Sequence, residues 1–379
     1  MSMRFGNRPS EMDRRDFLRL GGTGLAGAVL LGTSGSRAWA QSGPSLDAEF
    51  EAAATEYDVP KDLLLAIGYV NTLWEMPPPS ASPYEEGDLH GRGMYGILQL
   101  EQNPARDTLG RAAALTGLSE EEIKSKRAAN VRAGTALLAD LQGGNKPEDI
   151  NGWQEAIAEY ADMDLYVQQV YEVLENGVSA TISTGESLDL APRTEVEIPQ
   201  TRSAYGTPPD YKRAIWRPAH KVNYTNSSRE GSYNINRIVV HVVQGSYSSA
   251  VNWFQDSRAG VSAHYTVSKG GRIAQSVRHE DVAYHAGHWG TNTHSIGIEH
   301  EGYVDNPDWF TGKMYRASAR LAAYAVKRHR IPIDRRHIIG HHQVLGCPGP
   351  GGGASCHTDP GRHWNWKRYL RLIREYARR

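Results

Sequence analysis

Apolar residues recur at intervals near 3.6 in four stretches of the first half, 47–57, 61–74, 127–141 and 150–175. That spacing predicts amphipathic helices, and the density of Ala, Leu and Glu agrees with it. Asp58-Val59-Pro60 separates the first pair, and residues 76–93, with Pro77-Pro78-Pro79, read as a loop. Residues 178–215 show no period and are rich in Ser, Thr and Pro, so they are expected to link a helical domain at 46–177 to a second domain at 216–379. There the pattern changes. Arg237-Ile238-Val239-Val240-His241-Val242-Val243 is a buried-strand run. His264-Tyr265-Thr266-Val267 and Ile273-Ala274-Gln275 flank a Lys-Gly-Gly-Arg turn and read as a hairpin. Ser295-Ile296-Gly297-Ile298-Glu299 and His337-Ile338-Ile339-Gly340 are further strands around an amphipathic helix at 314–329. Strands alternating with helices predict an α/β domain with a mixed central sheet flanked by helices.

Composition changes the picture at two places. The 379 residues are 39% hydrophobic and 22% charged, enough for a buried core and against a disordered chain. The net charge of −1 gives no global basic field for nucleic acid. Fourteen of the 15 histidines follow Trp216, so metal or proton-transfer chemistry is expected in the second domain. At the other end, Arg14-Arg15 precedes a Gly-rich apolar run too short to span a bilayer, followed by Ala38-Trp39-Ala40. Residues 1–40 therefore read as a twin-arginine export signal with an A-x-A cleavage site. This implies a bacterial protein that is secreted, extracellular or in the cell wall, with no membrane span. Outside the cytoplasm the two cysteines, Cys347 and Cys356, are free to form a disulfide.

Three residues are candidate metal ligands: His241 in its strand run, His341 directly after Gly340, and Asp359 in His357-Thr358-Asp359-Pro360-Gly361. Two imidazoles and a carboxylate suit a catalytic zinc that keeps a fourth position open. Local spacing does not establish the set, because the two histidines lie far apart in the chain.

Six segments, in order, carry a resemblance: Ile238-Val239-Val240-His241, Ser262-Ala263-His264-Tyr265, Ala283-Tyr284-His285-Ala286-Gly287, Ser295-Ile296-Gly297-Ile298-Glu299-His300-Glu301-Gly302, Ile339-Gly340-His341, and Thr358-Asp359-Pro360-Gly361 with Trp364 and Trp366. Together they resemble the zinc-dependent N-acetylmuramoyl-L-alanine amidases, a family that includes peptidoglycan recognition proteins. The resemblance implies Zn2+ on His241, His341 and Asp359, with Cys347 as alternative third ligand and His342 as alternative to His341. It implies Glu299 as catalytic acid/base, and His357 where the family often has an oxyanion-stabilising Lys. It puts His285 and, less closely, His264 near the cleft as substrate contacts, with Asn292 as a further one. If Asp359 is the ligand, Cys347 and Cys356 close the intervening loop as a disulfide. The implied activity is hydrolysis of the amide between N-acetylmuramic acid and L-alanine, with bacterial peptidoglycan as partner and a monomer as the expected state.

The first domain resembles, through Gly93-Met94-Tyr95-Gly96-Ile97-Leu98-Gln99 and Ala156-Ile157-Ala158-Glu159-Tyr160, the all-α lysozyme-like fold of lytic transglycosylases. Where that family carries a catalytic Glu-Ser pair, this chain has Asn71-Thr72, and an amide has no acidic proton to give a glycosidic oxygen. A degenerate, wall-binding domain is therefore expected. Glu75, one helical turn on, is the alternative acid for a bifunctional enzyme. A non-catalytic recognition protein is the other reading.

Overall fold

A computed structural model describes residues 43–84, 92–144, 146–199, 208–227, 229, 233–344 and 357–379. The export signal, His90, Cys347 and Cys356 lie outside the described residues, and with them the expected disulfide and the alternative cysteine ligand.

The first half is mainly helical, as its periodicity predicts. Helices α1 (Leu46–Tyr57) and α2 (Lys61–Thr72) are followed by a small antiparallel sheet of β1 (Met94–Tyr95), β2 (Leu100–Asn103) and β3 (Arg106–Asp107). This sheet is an addition to the all-α expectation. Then come α3 (Thr108–Thr116), α4 (Glu120–Ser125), α5 (Arg127–Gln142), α6 (Gln154–Ala161) and α7 (Asp164–Asn176). The helix expected over 150–175 is thus divided. Asp162 takes a left-handed φ of 54° and caps α6, a conformation that Asp tolerates better than most residues. Asn130, in α5, ties the helices to the small sheet. Its Oδ1 accepts from the Leu98 amide at 2.9 Å, and its Nδ2 donates to the carbonyls of Tyr95 at 3.0 Å and Ile123 at 3.2 Å. Gly96 allows the approach, because a Cβ there would lie 2.0 Å from Asn130.

The expected linker begins as structure. Strands β4 (Val178–Thr181) and β5 (Ser187–Leu190) form a hairpin. Ile182, Leu188 and Leu190 join the core of the helical half, following a period of two that the polar composition obscures.

The second half is built on β6 (Ile215–Trp216), β7 (Tyr224–Thr225), β8 (Arg237–Val240), α8 (Tyr247–Gln255), β9 (Tyr265–Val267), β10 (Ile273–Gln275), β11 (Val282–Ala283), α9 (Trp289–His294), β12 (Ser295–His300), α10 (Gly312–His329), β13 (Ile338–Gly340) and α11 (Trp366–Arg378). Six strands form one sheet in the order β13-β8-β12-β9-β10-β6. The first four run parallel, and β10 is antiparallel to β9, which gives the mixed sheet expected. Ile238 and Val240 pack with α10 and α11 on one face, while Val239 meets Ile339 on the other. The two halves form one compact unit over residues 44–379. At their junction Leu165 packs with Tyr247 and Val251, and Ser246 Oγ donates to the Val70 carbonyl at 2.7 Å. Among the described residues no helix is long and apolar enough to cross a membrane.

Candidate metal centre

Strand pairing explains how distant ligands meet. Val240, the last residue of β8, is in register with Gly340, the last residue of β13, so His241 and His341 leave adjacent strands side by side. Their ring centroids are 4.4 Å apart. The ladder continues through His241, whose amide donates to Ile298 O at 2.9 Å and whose carbonyl accepts from the His300 amide at 3.1 Å. Asp359 is brought in by its own backbone: its carbonyl accepts from the His342 amide at 3.0 Å and stands 3.0 Å from His342 Nδ1. Gly340 leaves room, since a Cβ there would lie 2.6 Å from both Pro360 and the His342 ring. His342 therefore holds Asp359 in place, and His341 faces its carboxylate.

His241, His341 and Asp359 offer donor atoms all within 4.8 Å of one another, and all three residues are buried. His241 Nδ1 is 3.4 Å from Asp359 Oδ2, and His341 Nδ1 is 3.1 Å from Asp359 Oδ1. Two ligands each about 2 Å from a tetrahedral zinc stand about 3.3 Å apart, so the spacing and the nitrogen–oxygen donor set both fit that ion. Glu299 lies on β12 beside the cluster, with Oε1 4.0 Å from His241 Nδ1. His357 stacks on His341 at 3.6 Å with the rings 14° from parallel, and it is half-buried at the rim. Five of the expected site residues therefore come together here.

The other three lie behind the cluster. His264, His285 and Asn292 are 0%, 1% and 6% exposed. Expected as substrate contacts, all three have polar atoms engaged within the fold. Asn292 Oδ1 accepts from the amides of His285 at 3.2 Å and Ala286 at 2.8 Å, anchoring that loop. His264 Nδ1 accepts from the Gly297 amide at 3.1 Å, and burial with the neighbouring Arg229 charge holds the imidazole well below the usual histidine range. Arg229 is itself buried, its guanidinium donating to the carbonyls of His279, Asn292, Thr293 and Ser295, and burial lowers it to about 10.

His285 defines a tautomer for His241. Ser295 Oγ donates to the Thr291 carbonyl at 2.6 Å, so toward His285 Nε2, 3.0 Å away, it accepts. Burial, and then the charges of His241 and His341, keep the His285 imidazole well below the usual value and neutral. Its Nδ1 is then an acceptor for His241 Nε2–H at 3.0 Å, which leaves a lone pair on His241 Nδ1, the atom that faces Asp359. Gly297 makes room for this ring, because a Cβ there would lie 2.4 Å from His285 Cγ. Sequence reasoning offers no signal for Ser295 or Arg229. Their partners are backbone carbonyls that only the fold brings near.

The alternative glycan acid is engaged elsewhere. Glu75 accepts from the Ser183 amide at 2.8 Å and from Ser183 Oγ at 2.6 Å. Asn71 is buried and accepts from the Tyr166 hydroxyl at 2.8 Å.

The sequence signature of the N-acetylmuramoyl-L-alanine amidases matches residues 231–362, the segment that contains the whole cluster. N-acetylmuramoyl-L-alanine amidase A of Achromobacter lyticus is 33% identical over 174 residues, covering 43% of this chain and 95% of that protein. The 1,6-anhydro-N-acetylmuramyl-L-alanine amidase AmpD of Haemophilus influenzae is 33% identical over 121 residues, 30% of this chain and 59% of that protein. A crystal structure of a selenomethionine AmpD derivative, 26% identical, covers 42% of this chain and 94% of its own with a TM-score of 0.33. The family signature and the two amidase relatives define an amide-hydrolysing enzyme. The chain belongs, more particularly, to the N-acetylmuramoyl-L-alanine amidase family.

Proposed function

We propose that the chain is an exported bacterial peptidoglycan hydrolase that cuts the amide between the lactyl group of N-acetylmuramic acid and L-alanine, acting as a monomer. His241, His341 and Asp359 would hold its zinc. The observation that carries this reading is the buried three-donor cluster within 4.8 Å, with Glu299 4.0 Å from His241. A zinc ion held there would polarise the scissile carbonyl and make water a stronger acid.

The protein's part follows from the side chains. Glu299 takes a proton from the attacking water and delivers it to the departing amine of L-alanine, so one carboxylate serves both halves of the reaction. His357, at the rim and stacked on His341, donates a hydrogen bond to the oxygen on which negative charge develops. Burial of the cluster excludes bulk water and strengthens both interactions. The helical half, with Asn71 where an acid is needed, serves to bind wall and does not cut glycan.

The test is mass spectrometry of peptidoglycan digested by the mature protein, with and without a zinc chelator. Release of stem peptides with a new L-alanine amine, lost on chelation and in Glu299→Gln, supports the reading. Intact muropeptides with tight sacculus binding would move the protein to wall recognition, and new sugar ends would reassign the helical half.

A further inference from the structure

Charge is divided unevenly along the chain. Residues 312–379 hold 15 of the 42 Lys and Arg but only three of the 43 acids, Asp334, Asp359 and Glu375, although the whole chain is net −1. Asp359 is buried at the metal centre. This segment contains α10 and α11, which pack against each other and bury their apolar faces in a common core. Their outer faces are cationic. On α10, Lys313, Arg316 and Arg320 are exposed at spacings of three and four residues, and on α11 Arg371, Arg374 and Arg378 repeat the pattern.

The two rows meet at the seam. Arg316 and Arg368 guanidinium nitrogens both come within 3.1 Å of the position of a Cβ on Gly312. Arg320 stands 4.9 Å and Arg379 5.5 Å from the ring centroid of Tyr376. Glu375 is the acid among them, pairing with Arg379 at 2.6 Å and with Arg371 at 3.7 Å. One carboxylate against these two rows leaves a net cationic strip whose field attracts anions. Among the described residues, none of the large exposed apolar side chains lies on this face, so α10 and α11 offer no apolar anchor for a bilayer.

We propose that the α10–α11 seam is a docking strip for a polycarboxylate polymer, the peptide stems of the cell wall. The proposal rests on the amidase reading for the identity of that polymer. Stems carry free carboxylates in repeating array, which matches two rows of cations and a surface without apolar anchors. The strip is on the sheet face opposite Val239, away from the metal centre. Polymer held there is therefore beside the catalytic site and not in it. Docking raises the local concentration of the next stem and leaves the chemical step unchanged.

The test uses the mature chain, the triple variant Lys313→Glu/Arg371→Glu/Arg378→Glu, and a control, Lys212→Glu/Arg213→Glu/Lys221→Glu, at other exposed sites of the same half. Cosedimentation with isolated sacculi is measured at low and high salt, alongside hydrolysis of a small soluble muramoyl peptide. The expected result is about tenfold weaker sacculus binding for the strip variant, weakened likewise by salt in the wild type, with unchanged turnover of the small substrate and no loss in the control. Sacculi whose carboxylates are blocked by amidation should bind wild type as weakly as the variant. Equal binding to amidated sacculi, an equal loss in the control, or binding that ignores salt would overturn the proposal. So would strip-dependent binding to phosphatidylglycerol vesicles without binding to sacculi. If wild type fails to cleave the small substrate, the amidase reading fails, while the binding arms still report on the strip.

Discussion

His241 Nε2 lies 3.0 Å from His285 Nδ1, and neither ring has more than 1% of its surface exposed. The contact fixes both the tilt of the His241 ring and which nitrogen carries its proton. Truncation to His285→Ala should weaken zinc retention about 10- to 100-fold against a competing chelator. His285→Gln, whose side-chain oxygen can accept from His241 Nε2–H, should restore part of it. Equal zinc affinity in wild type and His285→Ala would show that the ring only fills space.

Glu299→Gln keeps the shape of the side chain and removes its basicity. Hydrolysis should fall by about 10²- to 10⁴-fold, while zinc content and melting temperature stay near wild type. Retained activity would mean that another group moves the proton.

Zinc removal should lower the melting temperature as well as abolish hydrolysis, because an ion held as proposed would bind only the folded arrangement of three residues from separate segments. Differential scanning calorimetry with a zinc titration checks this: the melting temperature should climb with the logarithm of free zinc.

A second histidine pair sets a pH dependence. His279 Nδ1 and His329 Nε2 are 2.7 Å apart, and His279 Nε2 faces the Tyr265 hydroxyl at 2.7 Å. Burial pulls His279 down to about 3 and His329 to about 4, from an ordinary value of 6.5. Between pH 6.5 and 4 the unfolded chain therefore binds more protons, so stability is full above pH 6.5 and declines as the solution is acidified. For His279 the loss at pH 5 is on the order of 2 kcal/mol. Urea unfolding at pH 7 and pH 5 should show it, and His279→Asn should reduce the dependence by that amount while lowering stability at pH 7; the other buried histidines, His264, His285, His300 and His329, keep the remainder.

Asn130→Ala removes three buried hydrogen bonds and leaves the Leu98 amide and the Tyr95 and Ile123 carbonyls without that partner. A loss of about 2–4 kcal/mol is expected in chemical denaturation. A loss below about 0.5 kcal/mol would show that water replaces the amide.

Much of this molecule is legible in its pattern, and the gaps have physical causes. The runs around His241 and Gly340 read as strands because they are short, β-branched and apolar, and both are found. That they are neighbours is not in either run; it is set by the register Val240 to Gly340. Motif order places His285 near the cleft but not on a side of it. The side depends on the missing Cβ at Gly297, beneath the ring. The single helix expected over 150–175 fails at Asp162 because a left-handed cap interrupts the backbone without interrupting the apolar period. The hairpin at 178–190 is hidden by its polar composition, since only alternate residues face the core.

The register between β8 and β13 also bears on the order of assembly. His341 enters the cluster only when β13, at the margin of the sheet, has docked on β8, after a chain excursion of about 100 residues whose closure is entropically slow. A nascent or truncated chain without β13 lacks one imidazole of the pair. With zinc held as proposed, ion capture would report that the sheet is finished, and an incomplete chain would carry no hydrolytic centre to release.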